Sequence, residues 1–136
     1  INKPFFSSNT LYNKELHISR AIESVLTQTY KNYELIIVCD PSTDNSTKIA
    51  ESYSKDAIIL YRNQPGPGGY AARNLGTHKA KGKWIAFLDA DDMWSETHLE
   101  DLYKLSKIYP KASILGAGWK TIEPDIKKKL FINKFH

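Results

Sequence analysis

The sequence predicts an α/β fold with a mainly parallel sheet flanked by helices. Short apolar runs alternate along the chain with segments whose apolar residues recur at helical spacing. The run at residues 33–39 is almost entirely apolar and β-branched, as in a parallel strand buried on both faces. Two such runs end in acids, Asp40 and Asp89, where strands of α/β sheets present groups to ligands.

The first half of the chain gives two strands and two helices in order. Residues 4–10 should hold the first strand, although they are mostly polar. Asn13 is a candidate N-cap, and the helix after it should end near residues 29–30. Its apolar residues follow an amphipathic spacing: Ile18, Ala21, Ile22, Val25 and Leu26. After the strand at 33–39, a turn cluster at 40–46 leads into a helix around residues 49–53.

The second half repeats the alternation. Residues 57–61 and 84–89 are apolar runs that predict strands, with a helix through residues 71–78 between them that ends at Gly82. Ser95 is a candidate N-cap for the next helix, with Trp94 and Leu99 placed as a hydrophobic staple. Pro110 should close that helix. Residues 112–119 predict a last strand.

The length and charge of the chain limit the classes of protein to which it can belong. A chain of 136 residues allows one domain, and no apolar run approaches the roughly 20 residues that span a bilayer. We expect a domain at residues 1–119 and a basic tail, or truncated remainder, at 120–136. The tail carries five Lys against Glu123 and Asp125, so most of the net charge of +4 lies there. A nucleic-acid face would instead spread basic residues over the folded body.

The chain ends and the cysteine content suggest a compartment. The N-terminus lacks the apolar stretch of a signal peptide and lacks Met, so we expect a processed chain or a fragment of a longer one. Cys39 is the single cysteine, which excludes an internal disulfide and favours a reducing, cytoplasmic location. Its apolar neighbours predict a buried, inert thiol.

The acids after residues 84–88 form the first candidate site. Asp89 and Asp91 are separated by the small Ala90, so their carboxylates can converge on a hard divalent cation. The alternative is a polar turn that caps the next helix. Asp40 and Arg73 would lie at the same sheet edge, where a carboxylate can accept hydrogen bonds from a base or ribose and a guanidinium can pair with phosphate. Together these groups suggest a nucleoside diphosphate ligand.

Two common phosphate-binding motifs do not apply. Residues 66–71 fit G-x-G-x-x-A, but they follow two strands, whereas the dinucleotide fingerprint belongs to the first strand–helix turn. No G-x-x-x-x-G-K-[ST] sequence exists, which excludes a P-loop.

Four segments cover much of residues 12–119: AIESVLTQTY at 21–30, VCDPSTDNS at 38–46, GGYAARNLG at 68–76 and KGKWIAFLDADD at 81–92. They resemble motifs of family 2 glycosyltransferases, in the same order. The resemblance implies a GT-A fold, a nucleotide-diphosphate sugar donor, most simply a UDP-sugar, and Mn²⁺ or Mg²⁺.

The resemblance also implies roles for individual residues. Asp40 would contact the donor base and Arg73 would line the donor pocket. Asp89 would lie near the ribose and Asp91 on the metal, with Asp89 as the second metal candidate. Tyr12 would line the base pocket, where Tyr12 and Asn13 alone match the family's first strand and turn.

Two departures leave two functions open. Cys39 and Pro41 replace the usual Asp and Gly, and the family's general base has no counterpart among the few acids after Trp119. The chain is therefore expected to be either an inverting glycosyltransferase acting on a glycan or lipid-linked acceptor, or a degenerate nucleotide-binding module without transferase activity. Basic and aromatic residues at 127–135 suggest peripheral contact with an anionic membrane surface; a solvated tail is the alternative.

Overall fold

The computed structural model describes the backbone of residues 5–11, 13–64 and 69–118, and the side chains of 13–64 and 69–118. Over these residues the elements alternate between strands and helices. They are β1 (Phe5–Leu11), α1 (Ile18–Leu26), β2 (Glu34–Cys39), α2 (Ser46–Glu51), β3 (Ile58–Tyr61), α3 (Tyr70–Lys79), β4 (Ile85–Asp89) and α4 (His98–Ile108).

The described strands form one parallel sheet in the order β3-β2-β1-β4. β1, the strand with the weakest sequence signal, is central and pairs with both β2 and β4. Its register against β2 shifts between Ser8 and Leu11. The α/β class, the parallel sheet and the flanking helices are confirmed.

Both faces of β2 are buried, as its continuous apolar sequence predicts. Leu35, Ile37 and Cys39 join one core with residues of α1, α2 and α4. Ile36 and Val38 join a second core with Ala72 of α3. Because successive strand residues point to opposite faces, this alternation places helices on both sides of the sheet.

Several predicted element boundaries are wrong. Asn13 does not cap α1, which begins after His17; instead Asn13 has a φ of 50° and its side chain binds Thr43. Thr97, and not Ser95, precedes α4. α1 also ends at Leu26, earlier than predicted.

The predicted last strand is wrong over the described residues 112–118, which are irregular. Its apolar composition is not matched by burial, because Ile114 is 89% exposed. Strand pairing needs a neighbouring edge, and a local apolar pattern does not provide one. Trp119 and the predicted tail at 120–136 lie outside the described residues, as does Tyr12.

None of the helices in the described ranges is both long enough and apolar enough to cross a membrane.

Candidate functional site

The carboxyl ends of β1, β2 and β4 meet at one edge of the sheet, because these strands are parallel neighbours. Asp40 directly follows β2, and Asp89 is the last residue of β4. β1 lies between these strands, so the two backbones are separated by about 10 Å, twice the spacing between strands. The edge therefore carries acids on both sides of the loop that follows β1.

The loops after β1 and β2 are joined by hydrogen bonds. The side-chain oxygen of Asn13 accepts from the backbone N–H of Thr43 at 3.0 Å. Asp44 accepts from the backbone N–H of Glu15 at 3.1 Å and from the N–H of Ser46 at 2.9 Å. The Ser46 hydroxyl also donates to Asp44 and accepts from the Lys14 N–H at 2.7 Å. The polar motif after β2 thus holds the loop that carries Lys14.

Asp89, Asp91 and Asp92 form an exposed cluster, which we call the acid turn (residues 89–92). One carboxylate oxygen from each lies within 4.8 Å of the others. The turn is closed by a hydrogen bond from the Asp92 N–H to the Asp89 carbonyl, at 3.0 Å. Carboxylate oxygens are the ligands that Mg²⁺ and Mn²⁺ prefer, so the chemistry and spacing of these side chains fit such an ion.

Cationic side chains surround the acid turn. Lys14 Nζ lies 3.1 Å from Asp91 Oδ2, and Arg20 donates to the Asp91 carbonyl at 3.1 Å. Arg73, the arginine predicted for the donor pocket, lies 3.2 Å from Asp89 Oδ1. The structure therefore brings together Arg73, Asp89 and Asp91, and adds two basic residues that can contact phosphate.

The acids of this turn differ in proton affinity. Partial burial raises the pKa of Asp92 above its usual value, and the charges of Asp91 and Asp89 raise it further. Burial also acts to raise the pKa of Asp91, but the hydrogen bond and positive charge of Lys14 outweigh it, so the net pKa is lowered. Asp91 is thus held ionised, as a metal ligand must be.

Asp40 occupies a different environment. Its side chain is 2% exposed, and Arg62 Nη1 lies 2.9 Å from Oδ1 and 3.1 Å from Oδ2. The hydrogen bond is directed at Oδ2; although Oδ1 is the nearer atom, it is buried and accepts no hydrogen bond from the described residues. Both carboxylate oxygens therefore lie within ion-pair distance of the same guanidinium nitrogen.

Sequence reasoning missed three basic residues, Arg62, Lys14 and Arg20. It also missed two polar residues, Ser24 and Gln28, which contact the chain after the acid turn. Ser24 and Gln28 had a detectable signal. They are four positions apart, and Ser24 lies among the apolar residues that α1 buries. Polar side chains in such positions need partners, which here are backbone groups after the acid turn.

An apolar groove of about 670 Å³ lies elsewhere, at the end of α4. The described residues that line it include no carboxylate: Leu105, Ile108, Tyr109, Pro110, Lys111, Ala112, Ile114, Leu115 and Gly116. The apolar lining of this groove distinguishes it from the acid turn, which is a cluster of carboxylates.

An open parallel sheet with acids and basic side chains at its carboxyl edge is typical of α/β proteins that bind phosphorylated ligands there. The model of the family described as "Glycosyl transferase family 2" matches residues 10–133. The chain belongs to this family.

Individual relatives agree with this assignment. The chain is 41% identical over 95 residues to the glycosyltransferase GlyA of Streptococcus pneumoniae serotype 4. The aligned residues cover 69% of this chain and 14% of that protein. It is 44% identical over 89 residues to UDP-Glc:alpha-D-GlcNAc-diphosphoundecaprenol beta-1,3-glucosyltransferase WfgD of Escherichia coli, covering 65% and 35%. The chain therefore spans only about a seventh to a third of these relatives.

The crystal structure of S. aureus TarS 1-349 in complex with UDP superposes with a TM-score of 0.71 at 26% identity, covering 79% of this chain and 33% of that one. The GT-A fold implied by the sequence motifs is thus confirmed.

Proposed function

We propose that this chain is the donor-binding portion of a glycosyltransferase that uses a nucleotide-diphosphate sugar and a divalent cation. The observation that carries the proposal is the acid turn at the end of β4, with Arg73 on Asp89 and Lys14 on Asp91. Asp91 and Asp89 would hold Mn²⁺ or Mg²⁺. When bound, the ion would offset the charge that develops on the diphosphate leaving group.

The donor base is assigned to Asp40. A carboxylate can accept a hydrogen bond from a ring N–H, a group that neutral uracil, thymine and guanine have and that neutral adenine and cytosine lack. Arg62 would keep the carboxylate oriented toward that N–H. Tyr12 is proposed to line the same pocket, as the family resemblance implies.

UDP is the favoured nucleotide. TarS was crystallised with UDP, and the name of WfgD specifies UDP-Glc and a diphosphoundecaprenol-linked acceptor. By analogy, we propose a UDP-sugar donor, an inverting transfer and a glycan or lipid-linked acceptor. A lipid-linked acceptor would place the reaction at a membrane surface, on its cytoplasmic side, where residues 127–135 would contact anionic lipid. Pelleting with anionic liposomes, with and without residues 126–136, tests that contact; equal pelleting would contradict it.

Binding without transfer is the second candidate function. In the described chain after the acid turn, the acids are Glu96, Glu100 and Asp101. Glu100 binds Thr29 and Lys104, and Asp101 binds Thr97, so these two carboxylates stabilise the fold around α4. A chain that binds donor but lacks a general base would hold nucleotide and transfer no sugar.

Calorimetric titration of the 136-residue chain with UDP, GDP and TDP, with and without Mn²⁺, tests the proposal. We expect metal-dependent binding of at least one nucleotide that weakens about 10- to 100-fold in Asp91→Asn. Asp56→Asn is the matched control, because Asp56 is an exposed acid after α2 and its substitution removes the same charge. A folded chain that binds none of the three would refute donor binding. Transfer of the sugar from a bound donor to an acceptor would exclude the second candidate function, binding without transfer.

A further inference from the structure

Gln28 is a buried polar side chain whose presence the proposed donor site does not explain. It is 0% exposed, although it lies just after α1 in a core of apolar side chains. Its Nε2 donates to the Ser24 carbonyl at 2.9 Å and to the Ser95 carbonyl at 2.6 Å. Its Oε1 accepts from the Leu99 N–H at 2.9 Å. The amide therefore makes three hydrogen bonds, two of them to the chain that follows the acid turn.

Ser24 makes a contact of the same kind one helical turn earlier. Its hydroxyl donates to the Ala21 carbonyl at 2.7 Å and accepts from the Trp94 N–H at 3.1 Å. The backbone N–H of Thr29 also donates to the Glu96 carbonyl at 2.9 Å. The Thr29 hydroxyl donates to the same carbonyl at 3.4 Å. Residues 94–99, which we call the anchor segment, are thus attached to α1 and the residues after it by five hydrogen bonds among the described residues.

The anchor segment sets one end of the acid turn. β4 fixes the other end, through its parallel pairing with β1 up to Asp89. Met93 alone separates Asp92 from Trp94, so little chain is left to absorb a displacement of the anchor segment. A shift of this segment would also remove two of the three hydrogen bonds of the buried Gln28 amide, which is unfavourable in a low-dielectric core.

We propose that Gln28 and Ser24 are positioning residues for the divalent-cation site: they hold the acid turn in the conformation in which its carboxylates converge. This inference rests on the proposed function, since it concerns the same ion. It assigns a role in metal affinity to two residues of α1 and its C-terminal flank that contact neither metal ligand directly.

The test compares Gln28→Met, which keeps the approximate shape of the side chain and removes its hydrogen bonds, with Ser24→Ala, a smaller change. Ile36→Val is the control, because Ile36 lies in the core on the opposite face of the sheet. Mn²⁺ affinity is measured by calorimetry, at a temperature where circular dichroism shows each variant folded. We expect Gln28→Met to weaken Mn²⁺ binding about 10-fold or more, Ser24→Ala to weaken it less, and Ile36→Val to leave it unchanged.

Amide hydrogen exchange without metal supplies a second readout. The peptide that contains the acid turn should exchange faster in Gln28→Met than in the wild type, and in Ile36→Val it should not. If Gln28→Met does not fold, Ser24→Ala decides by the same two measurements. If the wild type binds Mn²⁺ and the folded variants bind it with the same affinity, this inference is overturned and the proposed donor site is unaffected. Failure of the wild type to bind Mn²⁺ would overturn it together with the metal-dependent donor site.

Discussion

Arg62 binds Asp40 through a single guanidinium nitrogen, which lies 2.9 Å from one carboxylate oxygen and 3.1 Å from the other. Arg62 follows β3 and Asp40 follows β2, so the pair also joins the ends of two neighbouring strands. The Arg62 N–H donates to the Cys39 carbonyl at 2.9 Å, which fixes the backbone beside the ion pair. The Asp40 carboxylate is thus held by an ion pair, and a backbone hydrogen bond holds the residues beside it.

Arg62→Met should lower the free energy of unfolding by about 3 kcal/mol, because it leaves the Asp40 carboxylate buried without its counter-ion. The double variant Arg62→Met/Asp40→Asn should recover most of this loss, since it removes the buried charge. Urea denaturation measures both. Lys104→Met is the control; it breaks an exposed pair with Glu100 and should cost less than about 0.5 kcal/mol. Equal losses in Arg62→Met and Lys104→Met would contradict the prediction.

Asp44→Ala should lower the free energy of unfolding at pH 7, since Asp44 accepts hydrogen bonds from the backbone N–H groups of Ser46, at the start of α2, and of Glu15. Burial acts to raise the pKa of Asp44, but hydrogen bonds from Ser46 and Glu15 outweigh it and lower the net pKa. A lowered pKa in the folded state means that this stabilisation is present above the usual value of 3.8 and is lost as the pH falls through the folded pKa.

The difference between wild type and Asp44→Ala, followed by thermal unfolding, should therefore shrink as the pH falls below about 4. Asp44→Asn should lie between the two proteins at pH 7, because its amide oxygen can still accept. A difference independent of pH would show that the charge of Asp44 is not involved.

Asp92→Asn should stabilise the metal-free protein at neutral pH, by less than about 1 kcal/mol, because exposed carboxylates repel one another only weakly. Burial and the charges of Asp91 and Asp89 raise the pKa of Asp92, so the folded state takes up a proton more readily than the unfolded state. The wild type consequently loses stability as the pH rises from about 3.8 through the raised pKa.

The gain from Asp92→Asn should accordingly be largest at neutral pH and vanish near pH 3, where Asp92 is protonated in both states. Thermal unfolding in EDTA measures it, with Asp56→Asn as the matched charge change at an exposed acid after α2. Destabilisation of Asp92→Asn at pH 7 would show that Asp92 has a stabilising partner that outweighs the repulsion.

Cys39 should be unreactive in the folded protein. It is 2% exposed, and burial, followed by the charges of Glu51 and Asp40, raises the pKa of its thiol to about 12. The reactive thiolate is therefore scarce at neutral pH. Ellman's reagent should detect one thiol in denaturant and almost none without it. Rapid modification of the native protein would show that the β2 core opens readily.

The features predicted best from sequence are those encoded within one segment. The burial of β2 follows from consecutive apolar residues between Leu35 and Cys39, and the acid turn follows from a charge cluster after an apolar run. The sequence predicts only that Arg73 and Asp89 lie at the same edge of the sheet. Their 3.2 Å contact depends on how α3 packs on the sheet.

The features that sequence missed depend on distant partners. The residues of β1 give little local signal, and their central place comes from backbone pairing on both sides. Asn13 and Ser95 have the right chemistry to cap helices, but the Asn13 side chain binds Thr43 and the Ser95 carbonyl accepts from Gln28. Residues 112–118 have strand-like composition without a strand beside them in the described chain.

The central position of β1 has a consequence for the order of folding. β2 and β3 are close in the chain and can pair early, and β1 can add to β2 through a connection that contains α1. Pairing of Phe5 with Ile85 and of Asn9 with Asp89 closes a far longer loop, which makes this step slow. β4 should therefore dock last, so that the carboxylates of the acid turn come together only once the rest of the sheet exists. A chain that ends before Ile85 contains the residues of β1, β2 and β3 but none of the carboxylates of the acid turn.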